Sequence, residues 1–111
     1  IVMAVMASGL NGQSFAFNGY LPVKPPERVQ AIRRFERRAH AEGQSQLFIE
    51  APYRNVKLME QLLQTLAPET RLTVAMDITA PGEFIRTLRV REWRAAELPA
   101  MNKRPAIFII G

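Results

Sequence analysis

The chain has no cysteine and a single histidine, His40. The first absence removes disulfides, thiol nucleophiles and cysteine-ligated zinc together, and it accords with a reducing cytoplasm. The second leaves a histidine triad or a histidine metal site without partners, and His40, set in a run of helical charges, reads as a solvated side chain. No apolar run approaches the roughly 20 residues a membrane span requires, so no membrane is expected among the partners. The apolar opening of residues 1–7 has no basic stretch before it and is not read as a signal peptide. Also missing are a glycine-rich phosphate loop, a nucleophile elbow and any carboxylate cluster with metal-ligand spacing.

What is present is enough for one α/β domain. At 111 residues, with 48% apolar and 23% charged residues, the chain can bury a core of its own. Its net charge of +5 and isoelectric point near 10.4 rest mostly on arginine. Such a balance leans toward a polyanionic partner such as RNA, although charge alone speaks of association and not of reaction.

The most informative stretch runs from Gln46 to Arg54. Leu47, Phe48 and Ile49 form a short apolar run, the pattern of a strand covered on both faces. Pro52 cannot donate to a ladder, so pairing should end there. Glu50 and Arg54 are thereby set at the C-terminal mouth of a strand, facing the next helix, where α/β folds bind ligands. The bland alternative, slightly favoured by these nine residues alone, is that Glu50 and Arg54 only pair with each other across the turn.

Elsewhere the chain alternates strands and helices. Residues 1–8 have the pattern of the last turns of a helix, with Gly9 as its left-handed cap. A chain that opens in mid-helix is expected to be a piece of a longer protein, with its apolar Ile1–Met6 segment covered by something upstream or by a partner. Asn11-Gly12 makes a turn, and Phe15 and Phe17 give a strand with one aromatic face. Pro26 and Glu27 open a helix that stops at Gly43, with Val29, Ile32, Phe35 and Ala39 as its buried stripe. Arg33, Arg34, Arg37 and Arg38 fall outside that stripe, as a solvated face or as a phosphate-tracking cluster, the former carrying more weight. A second helix is expected from Asn55 to Leu66 and a third strand from Arg71 to Asp77. A loop over 78–83 with a one-turn helix follows, then a half-exposed strand from Ile85 to Trp93 and a helical or irregular link from Ala95 to Met101. The continuous apolar run from Pro105 to Ile110 is expected as a central strand. The expectation is a mixed sheet of about five strands flanked by helices.

Two polar groups stand just past strand ends: Glu50 with Arg54, and Asp77, Thr79 and Glu83. If their strands are parallel neighbours the two loops share one rim, where a carboxylate could orient a polar ligand and free backbone groups could read an adenine edge. The competing reading is that Asp77 and Glu83 merely cap a turn and a short helix.

Five segments, in order, carry a resemblance. Ala7-Ser8-Gly9-Leu10, Phe15-Ala16-Phe17-Asn18-Gly19-Tyr20-Leu21-Pro22, Ile49-Glu50-Ala51-Pro52-Tyr53-Arg54, Val74-Ala75-Met76-Asp77-Ile78-Thr79 and Arg104-Pro105-Ala106-Ile107-Phe108-Ile109-Ile110-Gly111 span nearly the whole chain. They resemble the C-terminal half of the tetrapyrrole-methylase-like methyltransferases that use S-adenosylmethionine (SAM), most closely the ribosomal-RNA ribose 2′-O-methyltransferase branch. The resemblance implies a two-domain cytoplasmic enzyme with SAM, the methyl donor, in the cleft between its halves. Residues 1–111 would be the C-terminal domain, and the absent N-terminal domain would carry the glycine-rich loop, so this piece alone should be inactive. It also implies an adenine pocket on the backbone around Ile49, Glu50, Ala51, Ala75 and Met76, with Ala106 as a further candidate. Arg54, Thr79 and Glu83 would lie toward the methyl acceptor. Where the RNA branch has a lysine after its Leu-Thr, this chain has Ala80, followed by Pro81, and Asp77 replaces a glutamate. The donor site is therefore better supported than the acceptor, with RNA ribose favoured and a tetrapyrrole or small molecule left open. Two rivals remain at this point: a basic RNA-binding module built on the four arginines, and a homodimerisation module built on the Ile1–Met6 segment.

Overall fold

The computed structural model describes Ala4, residues 8–10 and residues 14–111. The expected turn at Asn11-Gly12 and most of the expected first helix lie outside the described residues. Ala4 and Ser8 are helical, and Gly9 has a φ of 74°, as a helix cap requires.

Strand β1 (Phe15–Tyr20) is followed by helix α1 (Pro25–Glu42) and strand β2 (Ser45–Ile49). Prolines in the first turn of α1 forfeit no helical hydrogen bond, and Gly43 ends the helix with φ 61° and ψ 32°. A single 3-10 turn, Pro52–Arg54, leads into helix α2 (Asn55–Thr65). Strand β3 (Arg71–Met76), strand β4 (Phe84–Arg89), helix α3 (Val90–Ala95) and strand β5 (Ala106–Ile110) complete the chain.

One element departs from expectation. The alternation read across Ile85–Trp93 ends at Arg89, and Val90–Ala95 is helical. Val90 and Trp93 both join the same core cluster, and residues three apart share a face on a helix but not on a strand. The Trp93 indole donates to the Leu72 carbonyl at 2.8 Å, and the Glu92 carboxylate accepts from the Arg89 backbone at 2.9 Å. The helical turn thus precedes the expected link, and residues 96–100 are irregular. Nor does residues 78–83 form a one-turn helix; it is a run of turns.

The five strands form one sheet in the order β1-β2-β5-β3-β4. β1 and β2 are parallel, and β5 runs antiparallel to both β2 and β3. β2 and β3 therefore point the same way without being neighbours, which corrects the simplest arrangement of the two loops. Helices α1, α2 and α3 cover one face, where Ile32, Leu58, Met59, Leu62, Val90 and Trp93 pack on Phe48, Leu72, Val74, Met76, Phe108 and Ile110. The opposite face carries a smaller apolar cluster of Ala4, Leu47, Ala75 and Ile109, with Ile107, Ile85, Ile78 and Leu10 beside it. The period of two sorts every strand between the two faces, so Val74 and Met76 meet helices while Ala75 does not.

Candidate functional site

Because β2 and β3 run the same way, their C-terminal ends reach one rim of the sheet, and the start of β5 lies between them. The register places Tyr20 beside Ile49, Ile49 beside Ile107 and Ile107 beside Ala75, a row of four side chains across four strands. This row lines an open cleft of about 500 Å³. Glu50 and Pro52 close one side; Asp77, Ile78 and Ala80 close the other; Pro105 and Ala106 stand between. The two loops share one rim after all, across an intervening strand.

Of the residues singled out from the sequence, Ile49, Glu50, Ala75 and Ala106 come together here. Ala51 lies at the edge of the cleft by chain continuity, its N–H bonded at 2.8 Å to the Glu50 carboxylate. The Met76 side chain is fully buried among the helix-face residues and does not line the cleft. Thr79 and Glu83 are exposed, with the Thr79 N–H donating to the Glu83 carboxylate at 3.0 Å. Glu83 does cap a turn, as the blander reading had it. Arg54 stands apart, lining a neighbouring hollow of about 480 Å³ with Lys24, Arg28, Lys57 and Gln61.

The expected pairing of Glu50 with Arg54 does not form. Glu50 pairs with Arg28 of α1 at 2.7 Å, and the two side chains are only 5% and 4% exposed. Arg28 also donates to the Pro22 carbonyl at 2.7 Å and to Gln61 at 3.0 Å. A charge buried among hydrophobic neighbours needs such a partner, and Arg28 can reach the strand end from inside the fold whereas Arg54 points away. The Arg54 guanidinium instead lies 5.1 Å from the centre of the Tyr53 ring. Arg28 escaped the sequence reading, yet it had a signal: it precedes Ile32 by four positions and lies on the same buried stripe as Ile32, Phe35 and Ala39.

The far wall is held by a second ion pair. Arg104 donates to Asp77 at 2.6 Å, to the Gly82 carbonyl at 2.5 Å and to the Ala100 carbonyl at 2.8 Å. It ties the β3–β4 loop to the turn before β5. That loop is strained, with Asp77 at φ 51° and Thr79 at φ 67°. A β-branched residue at positive φ is uncommon and must be held by its surroundings; Arg104 and Glu83 are the groups that hold it. Behind the same turn, buried Asn55 donates to the carbonyls of Met101 and Arg104 at 2.8 and 2.7 Å.

The site is thus a ledge of small and branched apolar side chains, flanked by two carboxylates that are each already engaged by arginine. A flat, mostly apolar ligand of moderate size fits such a surface. No protein-family model matches the chain. The ribosomal RNA small subunit methyltransferase I of Pseudomonas aeruginosa is 26% identical over 117 aligned residues, covering 100% of this chain and 39% of that protein. The protein of that name from Vibrio cholerae is 27% identical over 92 residues, 83% of this chain and 31% of its own length. Among solved structures, the methyltransferase CobJ superposes with a TM-score of 0.61 at 18% identity, covering 100% of this chain and 47% of CobJ. A Thermus thermophilus uroporphyrin-III C-methyltransferase, complexed with S-adenosylhomocysteine, gives 0.53 at 21% identity over 97% of this chain and 48% of its own.

The chain resembles the ribosomal RNA small subunit methyltransferase I proteins in sequence. The solved structures establish the tetrapyrrole-methylase-like fold, and the curated relatives give the resemblance in sequence. The chain spans between 31% and 39% of the length of the two relatives described. Ala80, at the position where the resemblance to the RNA branch sets a lysine, lines the cleft itself.

Proposed function

We propose that this chain is the C-terminal part of a SAM-dependent methyltransferase, and that the rim cleft is its share of the donor pocket. The row Tyr20, Ile49, Ile107 and Ala75 carries the reading. Ile49, Ala75, Ala106 and Ile107 would form the floor under the adenine, whose edge would meet the backbone of Glu50, Ala51 and Met76. The relatives are named as methyltransferases, and one solved neighbour is described with S-adenosylhomocysteine. Bound here, SAM would supply a methyl group on a sulfonium for displacement by an acceptor.

What the chain's own residues contribute is placement. Asp77 is engaged by Arg104 and Glu83 by the Thr79 N–H, and Ala80 has no proton to take or give. The β3–β4 loop therefore shapes the acceptor side without supplying an obvious base. Holding the reactants in line and excluding water are the effects such a wall can provide. An RNA ribose is the favoured acceptor, because the relatives are named for ribosomal RNA and the chain carries a net charge of +5. A cleft that is open above its ledge fits a cover from an N-terminal domain of the same protein.

Titration of S-adenosylhomocysteine into the full-length gene product, with this chain alone as control, tests the reading. Binding by the full-length protein that weakens or vanishes in the chain alone is the expected outcome. Ile107→Trp, which fills the middle of the row, should lower the affinity at least about tenfold, roughly 1.4 kcal/mol, without unfolding the protein. A folded Ile107→Trp protein with unchanged affinity would place the cofactor elsewhere. No binding by the full-length protein would remove the methyltransferase reading.

A further inference from the structure

On the helix side of the Glu50–Arg28 pair lies the second hollow, of about 480 Å³. Its lining includes four cations, Lys24, Arg28, Arg54 and Lys57, and no carboxylate. Arg28 is neutralised by Glu50 and also donates to Pro22 and Gln61. Lys24, Arg54 and Lys57 make no ion pair among the described residues. They come from two separate places in the chain, the loop before α1 and the β2–α2 junction, and the fold gathers them around one concavity. Three like charges held together without a counter-charge repel one another, which is a standing cost unless an anion joins them.

The Arg54 guanidinium also lies over Tyr53, which is 63% exposed on the turn between β2 and α2. An exposed ring backed by arginine is a surface on which an unpaired base can stack. The hollow and the rim cleft share a wall, since Glu50 lines one and its partner Arg28 lines the other.

We infer that Lys24, Arg54 and Lys57 hold a phosphodiester of a single-stranded RNA segment, with Tyr53 stacking an adjacent base and a neighbouring nucleotide reaching the rim cleft. The inference rests on the RNA reading of the acceptor. Arginine offers a fork to two phosphate oxygens and the lysines add point charges, while the strand's register is set by these contacts and not by base edges. The site differs from the arginines of α1. Arg33, Arg34 and Arg37 lie on an exposed convex helix face, and line none of the hollows described.

The test is fluorescence anisotropy of a labelled short single-stranded RNA against the full-length protein over a salt series. Two variants carry equal charge changes: Lys24→Gln with Arg54→Gln and Lys57→Gln, and Arg33→Gln with Arg34→Gln and Arg37→Gln. Loss of the one neutralised phosphate should flatten the log–log salt dependence by about 0.7 and weaken binding about tenfold near physiological salt. The α1 variant should stay close to the parent, and Tyr53→Ala should weaken binding with little change in the salt slope. If both triple variants lose affinity equally, or the pocket variant keeps the parent's affinity, the pocket inference fails while the RNA reading stands. If the parent protein binds S-adenosylhomocysteine but no RNA, the RNA reading and the pocket inference fail together.

Discussion

Arg28 is the residue on which both hollows depend. Its side chain is 4% exposed, and it donates to acceptors in the β1–α1 loop, in α2 and at the end of β2. Removing it would leave the Glu50 carboxylate buried without a counter-charge, which typically costs about 3–5 kcal/mol. Arg28→Met should therefore lower the urea midpoint sharply at constant m-value. The double variant Arg28→Met with Glu50→Leu should recover much of the loss, because neither desolvated charge remains. A single variant as stable as the parent would mean that the pair contributes nothing net. From the sequence Glu50 was recognisable as an acid at a strand mouth, but its partner was not. Proximity along the chain favoured Arg54, four positions away, whereas the fold delivers Arg28 from 22 positions away. Such choices are made by tertiary packing, which local spacing does not contain.

Among the connecting segments, the β3–β4 loop is the one under tension. Two of its residues adopt positive φ, and a single guanidinium joins its start at Asp77 to its far side at Gly82. Charge-assisted hydrogen bonds of this kind contribute about 1.5–3 kcal/mol each. Arg104→Ala should speed amide exchange at Ala80 and Glu83 by about tenfold or more while the core amides of β3 and β5 stay protected. Equal protection in the variant would show that the turns hold themselves. The strands on either side were readable from period and from their Gly and Pro boundaries. The β4–α3 junction was not, because alternation from Phe84 to Arg89 runs into a helical turn whose first residues satisfy either period. Trp93 settles it only once its indole finds the Leu72 carbonyl.

In the whole molecule the sheet is closed by its last strand. β5 lies between β2 and β3, and Phe108 is completely buried at its centre. Phe108→Ala should cost about 3–5 kcal/mol, with the denaturation curve remaining a single transition because both halves of the sheet meet at this residue. Two separated transitions would instead reveal β1-β2 and β3-β4 as independent units. The apolar run of residues 106–110 announced a central strand, but not between which neighbours, since short Val/Ile/Phe strands pair equally well in several orders. The candidate cleft inherits that limit: Glu50 and Asp77 stood out as acids past strand ends and Ile49, Ala75 and Ala106 were named from resemblance, while the row that unites them exists only because β5 runs antiparallel between two like-directed strands.

The same insertion has a consequence for biosynthesis. As the chain emerges from the ribosome, β2 and β3 appear with their facing edges bare, and they must wait for some thirty residues after β3 before the strand that bridges them arrives. During that interval Leu47, Phe48, Leu72 and Val74 offer two unpaired, apolar edges to any extended segment nearby. The hazard of mispairing is thus greatest before β5 emerges, and it ends when β5 takes its place between the two edges.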